Sequence, residues 1–167
     1  MMRCPPREVV SGQRPIKTWA AISFRGKSKL VEYEGSLRSH DYQHILESAL
    51  VPMIQRDFRR GGYLFQQDGA PPHTAHTTRE WLQNHAISYI HPDEWPASSP
   101  DLNPIENIWG ILQRGMDKTG ITDPKKYRAK LRQLWDNLSQ DTIRAVIESM
   151  PRRLNEVIKK KGEALHY

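Results

Sequence analysis

The apolar residues of this 167-residue chain change their period along its length. Residues 16–24, IKTWAAISF, form a β-rich run, and RGKS at 25–28 reads as a turn. In KLVEYEG, 29–35, Leu30, Glu32 and Glu34 alternate with Val31 and Tyr33, the period of two that a strand shows. The two runs predict an antiparallel hairpin. From Ser39 the period lengthens. Tyr42, Ile45, Leu46, Ala49, Leu50, Met53 and Ile54 recur at helical spacing, with Ser39 as the expected cap and Pro52 as a late kink. The run Arg59-Arg60-Gly61-Gly62 ends that helix, and YLFQQD at 63–68 predicts a short third strand.

The same alternation of elements continues. AHTTREWLQNH, 75–85, predicts a helix with Ala75, Thr78, Trp81 and Leu82 inward, and ISYIHP, 87–92, a fourth strand. A loop rich in proline and serine follows, in which Trp95 is expected to pack. DLNPIENIWGILQRGM then carries Ile105, Ile108, Trp109 and Leu112 as one helical stripe. From Asp123 two or three helices are predicted, on Tyr127, Leu131, Leu134, Trp135 and Leu138, then on Ile143, Val146 and Ile147, then on Leu154, Val157 and Ile158. A hairpin beside alternating helices and strands predicts an α/β fold, a mixed sheet flanked by helices. Residues 1–15, with three prolines, read as an irregular lead-in, 16–162 as one domain and 163–167 as a tail.

Composition narrows the class. Hydrophobic residues are 37% and charged residues 26%, and no apolar run approaches the ~20 residues of a membrane span, so no membrane is expected as a partner. MMRCPPREVV has no apolar core, so no signal peptide is expected there. Cys4 is the single cysteine, which excludes an internal disulfide. The net charge of +6 fits a polyanionic partner as well as it fits a plain basic surface. Basic residues gather at 56–60, at 125–132 and at 159–161.

Two carboxylates stand where chemistry could occur. Asp68 closes the third predicted strand, at the sheet edge where α/β sites form. Before Gly-Ala-Pro-Pro it is equally a turn residue. Glu106 lies in the first turn of the helix after the proline-rich loop. With Asn103 as N-cap and Pro104 as first helical residue, its spacing is also that of a capping box, and Asp101 can cap an earlier start. The stretch between Asp68 and Glu106 is 106 − 68 − 1 = 37 residues, enough for a helix, a strand and a loop. Hard divalent cations take such oxygen ligands, and a pair of them can serve phosphodiester chemistry. His73 and His76 could form half a zinc site, but no partners stand at zinc-site spacing, so His73 is expected to pack beside the Asp68 turn. There is no Walker-type phosphate loop, nucleophile elbow or dinucleotide fingerprint.

Taken together, FQQDGAPPHTA and EWPASSPDLNPIENIWGILQR resemble the catalytic core of Tc/mariner-type DDE transposases. KTWAAISFRGKSKLVEYEG, YQHILESALVP and MPRRLNEVIKKKG look like the same family in the same order, so the resemblance runs over nearly all of 14–162. It implies a ribonuclease-H-like fold, metal-dependent DNA cleavage and joining, Mg²⁺ or Mn²⁺ as cofactor, DNA and a second transposase copy as partners with no small-molecule substrate, and a nuclear location. It also implies that Asp68 and Glu106 are the second and third catalytic, metal-binding carboxylates. The family's first catalytic aspartate lies on a central strand upstream of the segment matching 19–23. Residues 1–15 hold no aspartate, so that strand and ligand are expected to be absent and activity impaired. The alternatives are a non-catalytic nucleic-acid-binding module and an unstable relic of a transposable element.

Overall fold

The computed structural model describes residues 16–95 and 99–160. The lead-in at 1–15, the tail at 163–167 and Pro96 beside Trp95 lie outside the described residues. The described chain forms two compact units, one of residues 16–21 and 27–95, the other of 22–26 and 99–160.

In the first unit, β1 (Lys17–Trp19) pairs antiparallel with β2 (Val31–Tyr33), with Lys17 opposite Tyr33 and Trp19 opposite Val31. The expected hairpin is therefore present, though with short strands. Ala21 N–H donates to Ser28 Oγ and Ser28 N–H to the Ala21 carbonyl, both at 2.9 Å, and these bonds continue the pairing beyond β1. The expected helix after Arg38 also forms, in three pieces. α1 (Ser39–Ile45) leads through a π-helical turn, Leu46–Leu50, into α2 (Val51–Asp57). Ser39 is not the cap. Arg38 occupies that position, and Asp41 in the first turn accepts the Arg38 N–H at 3.2 Å. The acidic side chain thus reaches back to the N–H of the residue that precedes the helix, as the third helical residue of a capping box does. Pro52 does not end the helix. Its ring would clash with the carbonyl four residues back, and the wider turn just before it gives the ring room.

The expected strands at 63–68 and 87–92 shrink to one parallel bridge, Phe65 to Tyr89. Phe65 N–H donates to the Ser88 carbonyl at 2.8 Å and Ile90 N–H to the Phe65 carbonyl at 3.0 Å. Among the described residues no strand joins this bridge to the hairpin. Between the two segments run a short helix, α3 (Pro71–Thr74), and α4 (His76–Asn84). Thr78 and Leu82 point inward from α4 as expected, whereas Trp81 is half-buried and stacks on His85 with ring centroids 3.9 Å apart. Ala86 closes α4 in the left-handed conformation, φ 50°. Its N–H reaches the Gln83 carbonyl, and Ile87 N–H reaches that of Leu82. This helix stop turns the chain back toward Tyr89 at the cost of about 1 kcal/mol that glycine would not incur.

The second unit is helical: α5 (Pro104–Asp117), α6 (Pro124–Asp136), α7 (Gln140–Glu148) and α8 (Met150–Lys159). Pro104 and Pro124 start their helices, where a missing N–H costs nothing. Asp123 accepts from Lys126 N–H at 2.7 Å and Ser139 from Thr142 N–H at 3.2 Å, as N-caps. Ile105, Ile108, Trp109, Leu112 and Met116 of α5 are buried, as are Tyr127, Leu131 and Trp135 of α6 and Ile143 of α7. α5 and α6 approach closely at Gly115, where an added Cβ would lie 3.0 Å from Leu134 Cδ1. α8 departs from expectation. Leu154 and Ile158 are exposed, and the buried residue is Arg153. No helix among the described residues is long and apolar enough to cross a membrane.

Candidate active site

Asp68 sits where the chain leaves the Phe65 bridge and turns into α3. Its Oδ1 accepts the Ala70 N–H at 3.0 Å, the two-residue side-chain turn typical of aspartate. The turn reading of Asp68 is thus realised, and the same oxygen has a second neighbour. His73 Nδ1 lies 2.5 Å away, with both side chains largely buried. The approach lacks hydrogen-bond geometry, so it is a close contact of ring and carboxylate and not a formed hydrogen bond. Burial pushes the His73 imidazole down to about 4, so the ring is neutral near pH 7, although the adjoining carboxylate works against that displacement.

A layer of contacts holds this pair. His73 packs on Tyr42 with ring centroids 4.1 Å apart, and Tyr42 meets Trp19 edge-on at 6.4 Å. Tyr42 Oη donates to Gln67 Oε1 at 2.8 Å, and Gln67 Nε2 donates to the His73 carbonyl at 3.2 Å. Tyr42 is fully buried, which raises its pKa and keeps the hydroxyl protonated as that donor. Sequence reasoning placed His73 beside the turn but missed Gln67 and Tyr42. The available signal was the second glutamine of QQD, whose polar side chain had to be accommodated in a strand reaching the core. Next to the layer, a cleft of about 500 Å³ is lined by Lys17, Trp19, Tyr33, Arg38, Pro72 and His73, among others.

Glu106 belongs to the second unit. α5 starts at Pro104 with Asn103 at the N-cap position, as expected, but Asn103 makes no side-chain cap bond. Glu106 N–H donates to the Asn103 carbonyl at 3.1 Å, while its carboxylate has no hydrogen bond or ion pair among the described residues. The capping-box reading is therefore not realised. Glu106 is half-buried, and burial raises its pKa above the usual carboxylate value. The sign follows from linkage. The folded state favours the protonated form, so ionisation costs stability once pH rises through the shifted value. Glu106→Gln is expected to stabilise the protein at neutral pH, and the gain should shrink as pH falls. Urea unfolding at several pH values checks this; a gain independent of pH would refute it.

Arg153 anchors the start of α5. It donates to Asn107 Oδ1 at 2.6 Å, to the Asp101 carbonyl at 3.1 Å and to Ser149 Oγ at 2.8 Å. It thereby ties α8 to the 3₁₀ turn Pro100–Leu102 and to the first turn of α5. Asp101 lies inside that turn, so it does not cap a longer helix. His76, unlike His73, is exposed, and its Nδ1 is 3.2 Å from Glu80. Among the described residues no three His, Cys, Asp or Glu side chains gather as a metal-ion cluster.

Residues 6–126, containing both Asp68 and Glu106, match the DDE superfamily endonuclease family. The chain belongs to that family. It is 30% identical over 165 residues to the Tcb1 transposase of Caenorhabditis briggsae, covering 99% of this chain and 58% of the relative. It is 32% identical over 158 residues to the Tc3 transposase of Caenorhabditis elegans, covering 93% and 47%. The chain thus spans about half the length of these relatives. Its fold is similar to that of the catalytic domain of Mos1 mariner transposase, with a TM-score of 0.81 at 17% identity over 92% of this chain and 77% of the other. A Mos1 paired-end complex with left transposon end is equally similar, TM-score 0.81 at 17% identity, over 94% of this chain and 46% of the other. The ribonuclease-H-like fold expected from the motifs is the fold observed.

Proposed function

We propose that this chain is the catalytic part of a transposase-derived protein that binds DNA, with Asp68 and Glu106 as its catalytic, metal-binding carboxylates. The observation that carries the reading is the family match across 6–126, which takes in both residues. The donors suit a hard cation: both are carboxylates, and the desolvation penalty on Glu106 is one that a bound cation would offset. Mg²⁺ or Mn²⁺, once held, supplies Lewis acidity for cleaving and joining phosphodiesters. His73 fixes the Asp68 carboxylate from its inner side. The expected partners are DNA, through its phosphates, and a second transposase copy, and the expected location is the nucleus.

No aspartate precedes Asp41, which lies on α1. We therefore propose that cleavage by this chain alone is weak, and that DNA binding outlasts catalysis. Two measurements test this. In a nicking assay on plasmid DNA with Mg²⁺ or Mn²⁺, activity near background is expected. Robust nicking abolished by both Asp68→Ala and Glu106→Ala would show that these two carboxylates suffice or that another residue of the chain completes the site. DNA affinity should fall steeply and linearly in log–log form with added salt, since basic residues displace counterions from phosphates. A flat salt response would remove the binding reading.

A further inference from the structure

Outside the proposed active site, α1 carries a second arrangement of metal-ligating atoms. His40 and His44 are four residues apart, on one exposed face of the helix. Their Nε2 atoms converge to 2.9 Å, with the rings nearly perpendicular. Each Nδ1 faces a carboxylate: His40 Nδ1 is 3.7 Å from Asp41 Oδ1, and His44 Nδ1 is 3.9 Å from Glu47 Oε2.

Proton bookkeeping makes this arrangement awkward for two neutral imidazoles. One Nε2–H can donate to the other Nε2, but the donor ring then turns a bare Nδ1 lone pair toward its carboxylate. A cation between the Nε2 atoms resolves the conflict. Both Nε2 lone pairs then face the ion, and each Nδ1–H has a carboxylate within 4 Å, a small side-chain movement short of the outer-shell hydrogen bond of metal-bound histidine. The spacing suits it as well. Two nitrogens each about 2.0–2.1 Å from a metal stand roughly 2.9 Å apart when they subtend a right angle, and somewhat further apart in a tetrahedron. Asp41 serves twice, since its Oδ2 accepts the Arg38 N–H that starts the helix while Oδ1 faces His40.

We propose that His40 and His44 form a two-imidazole site for a borderline divalent transition metal such as Zn²⁺, Ni²⁺ or Cu²⁺. Imidazole selects these ions over Mg²⁺, so the site is chemically distinct from the carboxylates proposed for catalysis. It supplies two ligands, and the remaining coordination positions are open to water or an external donor. It uses neither Asp68 nor Glu106, so either reading can fail without the other.

The test is titration of the full chain, in a Cys4→Ser background that removes the thiol, with NiCl₂ and ZnCl₂ by calorimetry. One ion per chain is expected to be lost, or to bind at least tenfold more weakly, in His40→Ala and in His44→Ala. His76→Ala and His85→Ala should bind like the parent. With Cu²⁺, electron paramagnetic resonance should show hyperfine coupling to two nitrogens, reduced to one in either single variant. Because both side chains are exposed, circular dichroism of the variants should match the parent. Metal should raise the parent's Tm and leave the variants' Tm unchanged. No binding up to millimolar metal would overturn the proposal, as would binding that survives both substitutions. Either result would leave the histidine contact as a shared proton or simple packing.

Discussion

Trp109→Ala is expected to destabilise the protein by roughly 3–5 kcal/mol, the range for removing a buried large aromatic. Trp109 and Trp135 are 2% and 1% exposed, and their rings stack with centroids 5.9 Å apart and planes 24° apart. The pair joins α5 to α6, so alanine removes the contact surface of both helices and leaves a cavity where backbone on either side is fixed by hydrogen bonds. The indole Nε1 of Trp109 is buried without an acceptor, so the residue is held by its area and not by a polar contact. Trp109→Phe should therefore recover a good part of the loss. Urea unfolding monitored by far-UV circular dichroism reads both numbers. A cost below about 1 kcal/mol would mean that the stack is not part of the cooperative core.

Arg153→Met is the second large effect, expected to cost roughly 3 kcal/mol. Methionine fills most of the volume but leaves the Asn107 amide oxygen, the Asp101 carbonyl and the Ser149 hydroxyl without the guanidinium. Each lost bond to a charged donor is worth about 1–3 kcal/mol, and part is regained because a buried charge no longer has to be desolvated. Arg153→Lys keeps the charge but cannot reach three acceptors from a planar fork, so an intermediate loss is expected. The consequence should be local as well as global. Amide hydrogen exchange at 101–107 is expected to accelerate in Arg153→Met, because the residue anchors the turn that precedes α5. Unchanged exchange there, with full stability, would mean that the network contributes nothing net.

Arg153 shows where sequence reasoning and the folded protein part. Apolar spacing in MPRRLNEVIKKKG turned Leu154 and Ile158 inward, and the helix presents the neighbouring residue instead. The choice depended on acceptors 46 and 52 residues away in the chain, which no periodicity within α8 encodes. The strands at 63–68 and 87–92 failed for a related reason. Their apolar runs are real, but a strand extends only as far as a partner ladder runs beside it. α5, in contrast, begins at one of the two starts that the sequence allowed. Asn-Pro sets the N-terminus and the stripe of Ile105, Ile108, Trp109 and Leu112 sets the buried face, both within one helix.

The candidate site divides along the same line. Sequence alone singled out Asp68 and Glu106 as candidates, with their 37-residue separation, the family motif around each and the helices that follow, because these depend on residue type and local order. Only the tertiary structure decided which groups surround them. It set His73 against Asp68 beneath Tyr42 and Gln67, left the Glu106 carboxylate half-buried without a described partner, and placed a buried arginine under its helix. Those outcomes follow from desolvation and from hydrogen-bond partners that are distant in sequence, quantities that do not exist until the chain has closed on itself.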